Sequence, residues 1–153
     1  MPDGAIIAVG VDGTPSSRRA LAWAAREALR RGGRLHVVTA WAPDALESAP
    51  LSATDPDALA ALAERTQAHA VAEVVDPMPC KPLMTRAIVQ GTAAEALVSA
   101  SQQADLVVVG THGRGPVRSF LLGSVSLSVI KHAACPVVVM PPVSAGTPAA
   151  PLP

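Results

Sequence analysis

Apolar and polar positions follow two alternating patterns along this chain. Ala5 to Val11, Leu106 to Val109 and Pro136 to Met140 are apolar runs. Such runs suit strands buried on both faces of a parallel sheet. Leu35 to Trp41, ending near Ala40, and Leu83 to Val89 read as two further strands. Between strands, apolar residues recur at helical spacing. The first stripe is Leu21, Ala24, Ala25, Ala28 and Leu29; the second is Leu59, Leu62, Ala63, Thr66 and Ala70; another is Val125, Val129, Ile130 and Ala133. Each stripe predicts a helix with one face turned inward. Arg18, Arg19, Arg26, Arg30 and Arg31 fall mainly off the first stripe, so a solvated face is expected for them.

Local chemistry sets the boundaries. Asp12-Gly13-Thr14-Pro15-Ser16 is turn-forming, and Ser16 or Ser17 is expected to cap the first helix. Gly32-Gly33 ends that helix. Asp55-Pro56 starts a second one, running to about Val75, with His69 expected to be structural or exposed. Asp76-Pro77-Met78-Pro79 breaks the chain. Thr92 and Glu95 form a capping box for a third helix reaching about Gln102. A fourth is expected over Ser124 to Ala134. Residues 42–54 contain Pro43 and Pro50 without a clear period and are expected to form a mobile loop. Residues 142–153 are proline and small residues, expected to be a disordered tail beyond a single domain of residues 1–141.

The order βαβαβαβαβ implies α/β architecture, with an open five-stranded parallel sheet covered by helices on both faces. Such sheets bind ligands beyond the strand C-termini, where the strand order reverses. In the arrangement 3-2-1-4-5 that crevice lies between strands 1 and 4. Asp12 and Gly110 then stand at its two sides.

Composition narrows the functional classes. With 12 basic and 12 acidic residues the formal net charge is zero, so no basic excess points to nucleic acid or a membrane surface. Aromatics are only 2%, which makes the core aliphatic. Cys80 and Cys135 form no metal-type pair and are expected to be reduced thiols. No signal peptide or bilayer-length run is apparent, and a cytoplasmic location is expected.

The candidate chemistry is concentrated between Asp105 and Ser124. An apolar strand ends at Gly110, Gly113 follows after two residues, and Gly123-Ser124 follows after nine more, opening a helix. A strand, a glycine-rich loop and a helix N-terminus in that order can form an anion site. Gly110 would let the chain turn off the strand. Gly113 and Gly115 would let backbone N–H groups approach phosphate oxygens, and Gly123 would keep bulk away from the helix entrance. The amides of Val125 and Ser126 would then face the anion. The loop is neither a Walker loop nor a dinucleotide fingerprint, since position 118 is Arg. Ser124 reads either as the helix cap or as a phosphate ligand. Asp12 reads either as an Asx-turn residue or as an acceptor for ribose or base. Arg114 and Arg118 read either as phosphate contacts or, by default, as solvated loop arginines, and His112 as an exposed loop residue.

The spacing G-2x-G-9x-G-[ST], met by Gly110, Gly113, Gly123 and Ser124, resembles the nucleotide-binding signature of the universal stress protein family. The resemblance covers residues 5–140 and includes Val11-Asp12-Gly13-Thr14, Ala20 to Ala24, Leu121 to Ser126 and Cys135 to Val139. It implies a Rossmann-like fold with strand order 3-2-1-4-5 and a homodimer, often formed through the last strand, here Pro136 to Met140. In the ATP-binding branch, residues matching Gly10, Asp12 and Ala40 surround the adenosine. Residues matching Gly110, Thr111, His112, Gly113, Arg114 and Gly115, with Gly123, Ser124 and Val125, hold ribose and phosphates. Pro116 departs from the pattern by removing an amide and stiffening the loop. The implied function is an ATP-binding stress-response regulator with little or no turnover, taking ATP with Mg²⁺ carried on the triphosphate. The alternatives are a slow ATP hydrolase or phosphotransferase, in which Asp12 positions water or metal, and a nucleotide-independent interaction module.

Overall fold

All five expected strands and four expected helices form, within a computed structural model that describes residues 4–42, 55–111 and 122–141. In chain order they are β1 (Ile6–Gly10), α1 (Pro15–Arg30), β2 (Arg34–Trp41), α2 (Pro56–Val74), β3 (Leu83–Gln90), α3 (Ala93–Ser101), β4 (Leu106–Gly110), α4 (Ser124–His132) and β5 (Val137–Met140). Most of the loop expected over 42–54, and the tail expected over 142–153, lie outside the described residues.

The strands make one parallel sheet in the order β3-β2-β1-β4-β5. β1 pairs with β2 from Ile6 opposite Arg34 to Gly10 opposite Val38, and with β4 from Ile7 opposite Leu106 to Val9 opposite Val108. Alternate residues of the central strands bury on opposite faces, as strand geometry requires. Ile7, Val9, Leu106 and Val108 meet Leu21, Ala24, Ala25 and Ala28 of α1 and Ala70 and Val71 of α2. Ala8, Val107 and Val109 meet Ala96 and Leu97 of α3 and Val129 of α4. Two aliphatic cores therefore sandwich the sheet. Each fully buried Val, Leu or Ile contributes about 1.5–3 kcal/mol.

The helix starts refine the sequence reading. Thr14, not Ser16 or Ser17, caps α1: its Oγ1 accepts from Ser17 N at 3.3 Å. The capping box of α3 is complete, with Thr92 N donating to Glu95 Oε2 at 3.3 Å and Glu95 N to Thr92 Oγ1 at 3.1 Å. Gly123, not Ser124, occupies the cap of α4, because the chain stays extended there (φ −68, ψ 166) and turns helical only at Ser124. Leu62 and Ile130, placed inward by periodicity, are each 46% exposed. The arginine face is more engaged than expected. Arg18 pairs with Glu73 at 2.7 Å, while Arg30 and Arg31 close on Glu27 at 3.0 and 2.7 Å.

Candidate functional site

The reversal point lies between β1 and β4, and the residues that follow those strands build a crevice there. Beyond Gly10, a tight turn carries the chain from β1 into α1. Asp12 Oδ1 accepts from Thr14 N at 2.9 Å and from Thr14 Oγ1 at 2.6 Å. Gly13 between them has φ +84, a region a side chain rarely adopts. Asp12 N donates to Ser17 Oγ at 3.3 Å, and that hydroxyl donates to Thr14 O at 3.0 Å. The Asx-turn reading of Asp12 is thus realised, and the residue nevertheless lines the crevice. The two readings are compatible because the turn uses one carboxylate oxygen.

The other side of the crevice begins where β4 ends. Gly110 was expected to let the chain turn sharply, yet its φ is not positive. Its lack of a Cβ matters for a different reason. A Cβ there would lie 2.1 Å from Ser16 Oγ and 3.0 Å from Ser16 Cβ, because the first turn of α1 packs onto it. Thr111 then donates its N–H to Met140 O at 3.1 Å and accepts from Gly123 N at 2.8 Å. The residue after the first glycine is therefore tied to the third glycine. Thr111 and Gly123 are thus held together beside the first turn of α4. His112, Gly113, Arg114 and Gly115 fall between them in the chain and lie outside the described residues.

The crevice has an apolar floor of Val38, Ala40, Leu97 and Val109. Gly10, Asp12, Gly110 and Val125 stand around it. Its cavity volume of about 90 Å³ is several times the ~10–15 Å³ that one water needs, which leaves space for a flat ring. At Gly10 a Cβ would sit 2.8 Å from Leu97 Cδ1, the end of a side chain of α3.

Positive partial charge comes from α4. Its first intrahelical bond is Leu127 N to Gly123 O at 3.0 Å, so the amides of Ser124, Val125 and Ser126 have no partner within the helix. Among the described residues no side chain caps them, and the exposed Ser124 stands at the first helical position. Ser126 Oγ turns back to Gly123 O at 3.0 Å. Two hydroxyls flanking Gly110, Ser16 Oγ and Thr111 Oγ1, are buried with no hydrogen-bond partner among the described residues.

Of the residues singled out in the sequence, the structure gathers Gly10, Asp12, Ala40, Gly110 and Val125 around one crevice. Thr111, Gly123 and Ser124 stand next to it at the loop closure and the start of α4. Sequence reasoning missed Val11, Ser17, Val38, Val109, Ala93 and Leu97 as lining residues. The last two could have been found as the inward i, i+4 pair of the helix crossing from β3 to β4. Among the described residues, no three His, Cys, Asp or Glu side chains stand together as a metal site, and no helix is long and apolar enough to cross a membrane.

The profile of the universal stress protein family matches residues 5–141. A universal stress protein of Mycobacterium tuberculosis is 41% identical over 138 residues, which cover 90% of this chain and 46% of that protein. The chain thus spans about half the length of the curated relatives it matches. Among solved structures, universal stress protein UspA from Lactobacillus plantarum superimposes with a TM-score of 0.72 at 23% identity, covering 92% of this chain and 99% of that one. A universal stress protein in complex with cAMP superimposes with a TM-score of 0.56 at 28% identity, covering 90% of this chain and 97% of that one. The family profile and the mycobacterial relative together place this chain in the universal stress protein family.

Proposed function

We propose that the crevice between β1 and β4 binds ATP, and that the protein acts as a nucleotide-responsive regulator with little or no turnover. One observation carries the reading: an apolar slot, a carboxylate and a helix N-terminus with no side-chain cap among the described residues converge at the reversal point of the sheet. In this reading the adenine lies on Val38, Ala40 and Leu97. Gly10 and Asp12 border the adenosine, with Asp12 accepting from a ribose hydroxyl. Gly110 to Gly115, with Gly123, Ser124 and Val125, hold ribose and phosphates through backbone amides and hydroxyls. The solved complex with cAMP supports an adenine nucleotide as the ligand class. Mg²⁺ would arrive on the triphosphate, and no protein ligand is assigned to it.

The reading of little turnover is supported by the turn at the lip: Asp12 Oδ1 accepts twice from Thr14, which holds the carboxylate as a fixed acceptor through one oxygen and leaves the other for the ligand. The slow-hydrolase alternative predicts sustained phosphate release that Asp12→Ala abolishes. β5 is an edge strand, and Leu127 and Ile130 are exposed on neighbouring α4, so we also propose a homodimer through this edge, Pro136 to Met140. Sedimentation would test that assembly.

Mass spectrometry of small molecules released from the purified protein, with calorimetric titration of ATP, tests the ligand. Adenine nucleotide in the released fraction and a saturable heat are expected. Absence of both would overturn the proposal. Gly123→Ala is expected to weaken ATP binding while the fold survives, and unchanged affinity would refute the phosphate placement.

A further inference from the structure

Gln67 is the one polar side chain of α2 with no exposed surface among the described residues, and its hydrogen bonds lead to the crevice. Arg86 Nε, on the exposed edge strand β3, donates to Gln67 Oε1 at 2.9 Å. A guanidinium has only donors, so this contact fixes which end of the amide carries oxygen. Gln67 Nε2 then points inward, and its two protons are shared among three acceptors, Ala87 O at 3.0 Å, Thr39 Oγ1 at 3.1 Å and Val37 O at 3.2 Å. Thr39 is 4% exposed. Its hydroxyl accepts from Gln67, and its own proton goes to Val11 O at 2.7 Å. The chain of donors thus has a single direction, from Arg86 through Gln67 and Thr39 to Val11.

Val11 is the last residue held to the sheet before Asp12. Its N–H donates to Val38 O at 2.9 Å, so β2 holds both of its backbone polar groups, one through a carbonyl and one through the Thr39 hydroxyl. The next residue carries the carboxylate at the lip. We propose that Thr39, oriented by Gln67, is a positioning residue that fixes the Val11–Asp12 lip and thereby places the Asp12 carboxylate for the ligand. Neither side chain lies at the crevice surface: they act through the lip, where both Val11 and Asp12 line the crevice. For its affinity readout the inference rests on the crevice holding an adenine nucleotide.

The test is a double-mutant cycle with ATP as the probe, read by calorimetry. Thr39→Val keeps the side-chain shape and removes the hydroxyl. It is expected to weaken ATP binding about tenfold, the scale of one hydrogen bond to a charged group. On an Asp12→Ala background the same substitution is expected to cause no further loss. Thr39→Ser is expected to restore wild-type affinity, and Gln67→Met to weaken it in the same Asp12-dependent way. A merely structural residue would lower affinity equally in both backgrounds. That additivity, or unchanged affinity in Thr39→Val, overturns the inference. If the wild-type chain binds no ATP, the proposed function falls, and amide hydrogen exchange decides the positioning role separately. Faster exchange of Val11, Asp12 and Thr14 in Thr39→Val, with Val9 and Val37 unchanged, supports it, and unchanged protection of Asp12 and Thr14 overturns it.

Discussion

Replacing Gly110 by alanine probes the assembly of the crevice most sharply, because the structure sets the size of the effect. The backbone at Gly110 is not in the left-handed region, so alanine meets no conformational penalty there. The penalty is steric. The new Cβ would lie 2.1 Å from Ser16 Oγ, 3.0 Å from Ser16 Cβ and 3.0 Å from the Ser16 carbonyl carbon. Rotating the serine relieves only the first contact. The other two belong to Cβ and backbone, so the first turn of α1 must move. Overpacking of this kind costs about 1–3 kcal/mol. For a domain of this length, each kcal/mol lowers Tm by roughly 2–4 °C. The displaced turn begins at the Thr14 cap held by Asp12, so ATP affinity is expected to fall as well. Thermal unfolding of Gly110→Ala, Ser16→Ala and the double variant gives the measurement. Ser16→Ala removes the worst contact and is expected to recover part of the loss. A Gly110→Ala protein as stable as wild type, or a loss that Ser16→Ala leaves untouched, would refute the argument.

Further outcomes follow from other residues. Asp12→Ala removes the acceptor for both Thr14 donors and is expected to cost about 1 kcal/mol in urea unfolding, whereas Asp12→Asn keeps an acceptor and recovers most of it. Burial lowers the pKa of His36 below the ordinary histidine value of about 6.5. The folded state therefore resists protonation. The contribution of His36 to stability is full above about pH 6.5 and declines as pH falls below it, a decline that His36→Gln should remove from urea titrations at pH 7.5 and 5.5. Burial, with the charge of Asp105, raises the pKa of Cys135. Cys80 is exposed, so iodoacetamide is expected to label Cys80 well before Cys135, as peptide mapping would reveal. Gly32 has φ +59 and open space around its Cβ position, so Gly32→Ala is expected to cost about 1–2 kcal/mol through backbone strain alone, with Gly32→Asn costing less.

The fold was legible because the features that set it are local or periodic. Continuous apolar runs such as Leu106 to Val109 marked buried strands, and Thr92 with Glu95 marked a helix start by a mechanism that operates within four residues. Alternation implied a parallel sheet covered on both faces, whereas the strand order 3-2-1-4-5 came from the family resemblance. Less was legible at the helix caps. Thr14 holds the cap where Ser16 or Ser17 was expected, and Gly123 holds the cap that was one of two readings of Ser124, because adjacent small residues offer similar caps and tertiary tethers select among them. The tether at Gly123 is its N–H to Thr111 O. Gly110 was read as a turn residue, but its role lies in contact with Ser16, far away in the chain. Nothing local in the sequence singles out Gln67 among the polar residues of α2. What makes it part of the core are Arg86 on one side and Thr39 on the other, partners that only the sheet brings together.

The claim that an adenine nucleotide occupies the crevice between β1 and β4 is tested most directly by titrating ATP into isotopically labelled protein and following backbone amide resonances. Saturable shifts are predicted to concentrate at Gly10, Asp12, Ala40 and Gly110 and in the first turn of α4 at Val125 and Ser126. No shift at saturating ATP, or shifts centred on Thr66 and His69 across the Asp12–Thr14 turn, would contradict it.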